Sequence, residues 1–515
     1  MRLPLPPATV PLHPRSLVAG SRASGLLFLL AVCATGNLKG QCPDGTPPPC
    51  AVRPYHAPAP PPNSLAVLYF DNRSRDTASA YLADGLTDEL IIRLSRVQRL
   101  QVRSRFESER LRGRPASDPR ALGRAIGAAY LVTGSLQQSG QRVRLEVALV
   151  RAANGATVWG DIYDRTGADL LQIQSDIASA VAGAIVGQLL PDERVSLERR
   201  PTNDPLAYQL FLAGIGAANT TNEPGLRAAL EFFDRAVARD SAFALALAWK
   251  AAVWVQLSDG YVEGRVGYVR AREAAQQALR RDSSLAIAYA MLSQATVALD
   301  LDAASGIALG ERAVKLDPHQ SWSHEALQSA LLLAGLADSS VREGLRAWQE
   351  DTLSEVAAVI CVWTGYMAGE TDSVVAVFPR MRAALDPEDI RILEGLVDVA
   401  HGRYARPAEQ LSWRFYGGIA AGEQVQALTA LGRRDAARAV TDSMVQYARG
   451  AYYNAYAVAK AYAALGAADS AFAWLERAHG QRTIWLTAVA LDPGFAPLHA
   501  DPRWPAFLRR IGVTR

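Results

Sequence analysis

The chain reads as an α+β domain, a mixed sheet with helices in the order βαβαβββα, followed by an all-α superhelix of stacked helix pairs. Three observations lead there. Period-2 and compact apolar runs stop near residue 190. Alanine-rich helical periodicity then continues from Pro201 to the end. Within that second part, aspartates that follow a helix end recur at Asp240, Asp282, Asp317, Asp351 and Asp386. A chain of 515 residues also exceeds what one core of roughly 250 to 300 residues supports, so more than one unit is expected.

The elements follow in order. Gly25 to Val32 is an apolar core behind Arg15 and Arg22, with small residues Ala34 to Gly36 after it, which predicts an export signal over 1–40. It is shorter than the roughly 20 residues a membrane span needs. An uncleaved anchor, or lipidation at Cys33, is the alternative; Val32 stands where a lipobox wants a small residue. The Pro-rich stretch ahead of that core is long for a leader, so a later translation start is a further alternative. Residues 41–64 hold nine prolines and predict an extended spacer. Cys42 and Cys50 bracket CPDGTPPPC and are a candidate disulfide in an oxidising compartment. No further Cys or His nearby completes a metal tetrahedron.

The α+β domain is expected over 65–195. Leu65 to Phe70 is of strand length, and Leu82, Leu86, Leu90, Ile91 and Leu94 fall at helical spacing within Ala80 to Val97. Leu100 to Val102 is a short strand, and Asp118 with Pro119 opens a helix to Ile126. Three strands follow, Ala129 to Leu136, Val143 to Val150 and Thr157 to Tyr163. Asn154-Gly155 predicts a type I′ hairpin. Leu170 to Leu190 is an amphipathic helix ended by Pro191.

The aspartates are spaced by 42, 35, 34 and 35 residues, and tetratricopeptide units repeat every 34. Ala236, Ala278 and Ala313, with Ala229, Ala271 and Gly306 seven residues earlier, are small residues that let helices approach. Helices Ala420 to Leu431 and Arg433 to Tyr447, then Ala451 to Leu465 and Ala468 to His479, are joined at Gly432-Arg433 and Gly466-Ala467. Six or seven units are expected over 201–480, with a cap over 481–515. The curved inner face is the expected binding groove.

The runs AVLYFDNRS, YLADGLTDELI, YLVTGSL and VRLEVALVRAANGATVWGDIYDR resemble the TolB amino-terminal-type domain shared with FlgO-like envelope proteins. The tail from Ala471 to Gly512 is similar to the end typical of fusions of that domain with tetratricopeptide repeats. In relatives this pair often follows a cyclase, a protein kinase or a winged-helix domain; here the export segment and spacer hold that position, so no such activity carries over.

Chemistry is harder to find. GxxxxGK[ST], HExxH, GxSxG and GxGxxG after a strand are missing from the sequence. His319 and His324 lie five apart, off a common helix face, and read as solvated polar positions. Asp84, Asp88 and Glu89 around Gly85 suggest a partner-facing helix; close helix-to-sheet packing at Gly85 with surface acids is preferred. Ten arginines lie between Arg93 and Arg124. Arg103, Arg105, Arg110, Arg112 and Arg114 are a candidate anion-binding surface. Only Phe106 interrupts them, so base stacking has little support. Only four of 54 basic residues are lysine, and the net charge is +3, which gives no global field toward nucleic acid or membrane. Trp249, Trp254, Tyr289, Trp322 and Trp363 are expected in the array core.

The expectation is therefore a non-catalytic, periplasmic or envelope-associated interaction scaffold with no cofactor and no small-molecule substrate. Its partners would be proteins rather than nucleic acid, and it would meet the membrane only through its N-terminal segment. The alternatives are a regulatory adaptor for a kinase or cyclase system and, further off, a cell-wall hydrolase.

Overall fold

The computed structural model describes residues 60–513 apart from 75–78, 98, 104, 110, 113–117, 141, 167–168, 199, 220–221, 352–353, 383–384, 413–417, 419 and 451. The predicted leader, spacer and Cys42–Cys50 pair lie outside them.

The first run of the sheet domain forms two strands, β1 (Ser64–Val67) and β2 (Asp71–Asn72). The break falls at Tyr69 and Phe70, where the Phe70 N–H donates to Thr87 Oγ1 at 3.3 Å instead of to the ladder. Helix α1 (Ser79–Ser95) follows, with Leu86, Leu90 and Leu94 fully buried as their spacing predicts. Strand β3 (Gln101–Val102), the one-turn helix α2 (Arg105–Glu109) and helix α3 (Pro119–Ile126) come next. Asp118 caps α3 by accepting from the Ala121 N–H at 2.9 Å. Asp118→Ala is expected to cost about 1 kcal/mol locally, read as faster amide exchange across Pro119–Ile126.

Strands β4 (Tyr130–Ser139), β5 (Arg142–Arg151) and β6 (Ala156–Thr166) complete a mixed sheet in the order β3-β1-β4-β5-β6, with β2 also on β4. The strands β1, β2 and β3 pair in parallel and the last three form antiparallel hairpins. The β5–β6 turn differs from the type I′ expected. Only Gly155 has positive φ, +71°, and the Gly155 N–H donates to the Arg151 carbonyl at 2.9 Å, so the loop is a longer one with a single left-handed residue. Val143, Leu145, Val147 and Leu149 face the helices α1 and α4 (Leu170–Val186). The expected long helix to Leu190 ends at Gly187, φ +74°, and Pro191 opens a further helix, α5 (Pro191–Glu198), as proline at a first turn favours.

Eight helix pairs follow among the described residues, against the six or seven expected. They are α6 (Pro205–Ala218) with α7 (Glu223–Arg239), α8 (Ala244–Gly260) with α9 (Gly264–Arg281), α10 (Ala286–Asp300) with α11 (Ala303–Leu316), and α12 (Ser321–Leu333) with α13 (Ala337–Glu350). Then come α14 (Glu355–Ala368) with the broken α15 (Thr371–Val375) and α16 (Phe378–Met381), and α17 (Pro387–Ala400) with α18 (Ala405–Gln410). The last two are α19 (Ala421–Ala430) with α20 (Arg434–Gly450) and α21 (Ala455–Ala464) with α22 (Ala468–Gln481). Two 3-10 turns, Ile484–Ala488 and Pro493–Leu498, and α23 (Arg503–Arg510) close the chain.

The repeat signals have identifiable roles. Asp240, Asp282, Asp317 and Asp351 each cap the C-terminus of a second helix, their N–H donating to Ala236, Ala278, Ala313 and Ala347 in turn. Asp386 departs from this register: it caps the N-terminus of α17 through the Glu388 and Asp389 N–H groups. Gly432 and Gly466, both at φ +75°, end first helices. There the N–H groups of Arg433 and Ala467 reach back five residues to Leu428 and Tyr462, the hydrogen-bond pattern of a Schellman turn.

First and second helices are buried differently. Eleven of the thirteen residues of α12 are buried, whereas α11 buries only Gly306, Gly310 and Ala313. Second helices thus face solvent on one side, and first helices are covered on nearly all sides. Part of that cover is the chain's own end. Leu486, Val489, Phe495, Trp504 and Phe507 share a core with Val297 and Leu301 of the third pair and Ala330 and Leu333 of the fourth. The Arg482 carbonyl closes against Gly264 of the second pair. The chain's own end therefore covers part of the first helices of pairs three and four, where the expected groove would be open.

Candidate functional site

The residues singled out for recognition converge on the junction between the sheet domain and the first repeats. Helix α1 lies along α6, and a Cβ at Gly85 would stand 2.5 Å from both Cβ and O of Leu212. Gly85 therefore serves helix-to-helix approach, where packing on the sheet was expected. One core runs through both parts, from Leu65, Leu86 and Leu149 to Tyr208, Phe211, Phe233 and Trp249.

Asp88 is the polar centre of this junction. Its carboxylate accepts from Tyr69 Oη at 2.6 Å and from Asn219 Nδ2 at 2.8 Å. The Arg105 guanidinium donates to Asn219 Oδ1 and lies over the indoles of Trp249 and Trp322 at 5.4 and 5.7 Å. Those indoles meet edge to face at 5.4 Å. Such desolvated cation–π contacts are worth about 2 kcal/mol. Arg112 covers the Tyr69 ring at 4.1 Å and pairs with Asp84 at 2.8 Å and Glu109 at 2.6 Å. Glu89 is buried against Arg93 at 3.0 Å, and Arg93 also donates to the Leu197 carbonyl at 2.8 Å. Of the acids of α1, Asp88 meets the repeat array through Asn219, whereas Asp84 and Glu89 pair with Arg112 and Arg93 of the sheet domain.

Of the candidate anion-binding arginines, Arg103 donates to the Gly127 carbonyl at 2.6 Å, while Arg105 and Arg112 are held as described. The structure thus engages all three with protein acceptors; Arg110 and Arg114 lie outside the described residues. Trp249 is core, as expected, but with Trp322 it also receives Arg105. His324 departs from the solvated position expected. It is buried, with Nδ1 2.7 Å from Glu343 and Nε2 2.8 Å from the Pro318 carbonyl. His319 pairs separately with Glu350 at 3.1 Å. Among the described residues no group of three or more His, Cys, Asp or Glu side chains is arranged to hold a metal.

Burial sets the electrostatics. It pushes Asp88 and the half-buried Asp317 up to about 6, and Glu325 up to about 7. A buried acid of this kind holds its proton more tightly folded than unfolded, so its contribution to stability falls as pH rises from about 4 to about 7. His319 is raised by its hydrogen bond to Glu350; for His324, burial opposes the rise and Glu343 drives it. Stability from a raised histidine is present below its unfolded value and is lost as pH rises through the folded one. Both groups act in one direction, so the melting temperature is expected to be higher at pH 5 than at pH 8. The reverse order in a calorimetric scan would contradict this placement of the acids.

A sequence reading misses two further features. The first is a buried ion cluster at the C-terminal end: Lys460 Nζ contacts Glu423 and, at 3.0 Å, Asp492, which also accepts from Tyr456 Oη at 2.7 Å. The second is a cleft of about 300 Å³ beside the broken helix of the fifth pair, lined by Val375, Phe378, Pro379, Arg382, Glu394, Val397 and Arg406.

Comparison with known proteins separates the two parts of the chain. Residues 62–180 match the family model described as the second domain of HilA/YgeH-like transcriptional regulators; the TolB amino-terminal-type model was the one expected from the motif runs. A curated relative from Rhizobium meliloti (strain 1021), named "Putative adenylate cyclase 3", is 33% identical over 149 residues. That match spans 29% of this chain and a quarter of the relative's length, 25%. Solved helical-repeat structures also align. They include the tetratricopeptide protein YrrB, described as having an unusual peptide-binding site (18% identity, 35% of this chain, 86% of that one, TM-score 0.24). The APC/C hetero-tetramer Cut9–Hcn1 aligns at 12% identity over 67% of this chain and 84% of that one, TM-score 0.32. The human IFIT1 dimer with m7Gppp-AAAA aligns at 12% identity over 60% and 76%, TM-score 0.27. At such scores these likenesses carry no functional weight, and the repeat assignment rests on the helix pairs and caps above.

Proposed function

We propose that the chain is a non-catalytic recognition platform, exported to the cell envelope, that binds protein partners through the outward surfaces of a fused sheet-and-repeat body. The observation that carries this reading is the shared core across the α1–α6 junction. It makes the two parts one rigid support, and rigid supports lower the entropy cost of binding. Because the chain's own end covers part of the first helices of pairs three and four, partner contacts belong to the second helices and the clefts between them. Proximity labelling in the native host, combined with fractionation, is the test. Reproducible envelope-protein neighbours support the reading, and purified protein that turns over a substrate at a rate abolished by one replacement sinks it.

A second reading, a regulatory adaptor for a signalling enzyme, is favoured by the names of the matched family and relative. The two separate on location. Alkaline phosphatase fused after residue 64 is active if the chain is exported and inactive if it works beside a cytoplasmic enzyme.

A further inference from the structure

The fifth repeat has a broken second helix. A regular second helix here, such as α7 or α9, runs 17 or 18 residues. In the fifth pair the corresponding stretch splits into α15 and α16, of five and four residues. Pro379 lies at the start of the second piece, where the missing N–H and fixed φ suit a helix beginning and not a helix interior. The sixth pair has an equally short second helix, α18, with Pro407 inside it. Two truncated helices side by side leave the cleft of about 300 Å³ between α15–α16 and α17–α18.

Its chemistry is divided. The walls are the apolar side chains Val375, Phe378, Pro379 and Val397. At the mouth two guanidiniums converge on one carboxylate, Arg382 Nη1 to Glu394 Oε1 at 2.7 Å and Arg406 Nη1 to Glu394 Oε2 at 2.5 Å. Arg406 also pairs with Asp398 at 2.6 Å, outside the lining. The lining thus carries two arginines against one acid, one net positive charge. Arg382 and Arg406 are both about half exposed, at 56% and 42%, and Glu394 is 18% exposed. Glu394 shows that a single carboxylate fits between both guanidiniums, the geometry that favours acid recognition by arginine.

We propose that this cleft docks an acidic peptide segment of a partner protein through one apolar anchor residue, with a neighbouring carboxylate of the peptide competing with Glu394 for Arg382 and Arg406. The proposal rests on the platform reading and names its docking site. The volume lies at the low end for ligand pockets, about 300 to 1,000 Å³, which suits a single leucine or phenylalanine and not a large cofactor. An apolar anchor meets Phe378, Val375 and Val397, and the peptide acid meets the positive rim.

The full chain is titrated by fluorescence anisotropy with labelled peptides in which phenylalanine is flanked by Asp and Glu, by Lys, or replaced by alanine. The acidic phenylalanine peptide is expected to bind at least tenfold tighter than either control, and more weakly as salt rises. Glu394→Gln removes the internal competitor and tightens the acidic peptide several-fold. Arg382→Gln weakens it about tenfold, the loss expected for one charge-assisted hydrogen bond. Val397→Asp, which places a charge in the wall, abolishes binding while circular dichroism checks the fold. Equal binding of acidic and basic peptides, weakened binding by Glu394→Gln, or no effect of Arg382→Gln overturns the proposal. If partner labelling in the host is unchanged by Val397→Asp, the cleft is dismissed and the platform reading stands.

Discussion

Replacing Lys460 by methionine is expected to lower stability by about 3 to 5 kcal/mol, the cost of breaking a buried ion cluster from one side. Lys460 is 3% exposed, and its ammonium is the cation that faces both Glu423 and Asp492, themselves fully buried. Burial raises the Glu423 carboxyl, with Asp492 adding to the rise and the Lys460 charge opposing it. Without that charge, two carboxylates are left together in low dielectric, and one must take a proton or the C-terminal end must open. Arginine is no substitute. Cβ atoms at Gly422 and Gly494 would stand 2.6 Å from Lys460 Cβ and 2.5 Å from its Cε, so the channel that holds the side chain is already full. Lys460→Arg should therefore destabilise too, and adding Glu423→Gln to Lys460→Met should recover part of the loss. Denaturant unfolding with limited proteolysis beyond residue 420 measures this. Wild-type stability in Lys460→Met would mean that the cluster is solvated.

Gly85→Ala is the second large effect, expected at about 1 to 3 kcal/mol or more from overpacking. The new methyl meets the Leu212 backbone, which cannot rotate aside, so α1 and α6 must separate. Separation also pulls Asp88 from Asn219 and Arg105 from Trp249 and Trp322. A single unfolding transition should then divide into two, one for the sheet domain and one for the repeats. Gly183→Ala is the control: it sits inside α4 with no atom within 4 Å of its added Cβ. It should stabilise by about 0.5 to 1 kcal/mol through helix propensity alone. If both glycine variants behave alike, the junction is not the close contact described.

What could be read from sequence divides by range. Local patterns carry α1, whose leucines fall every turn, and the caps at Asp240, Asp282, Asp317 and Asp351. Asp386 misled because aspartate serves either helix end, and a following proline does not decide which: Asp317, before Pro318, is a C-cap and Asp386, before Pro387, an N-cap. The junction was out of reach: Asp88 meets Asn219, and Arg105 meets Trp249 and Trp322, through contacts more than 100 residues apart that leave no periodicity. A count of arginines between Arg93 and Arg124 reads as a candidate anion-binding surface, yet Arg93 and Arg105 are buried because each finds an acceptor or an aromatic face. Lys460 left no signal of its own: Lys250 lies in an equally alanine-rich helix, yet it is partly exposed and pairs with the exposed Asp234.

Hydrogen–deuterium exchange across Ser79–Ser95 and Pro205–Ala218 tests the shared core most directly. If the sheet domain and the repeats are one body, the slowest amides of the two helices open with the same free energy and respond together to denaturant. Rapid exchange along Ser79–Ser95 while Pro205–Ala218 stays protected would show two bodies joined by a hinge, and would contradict it.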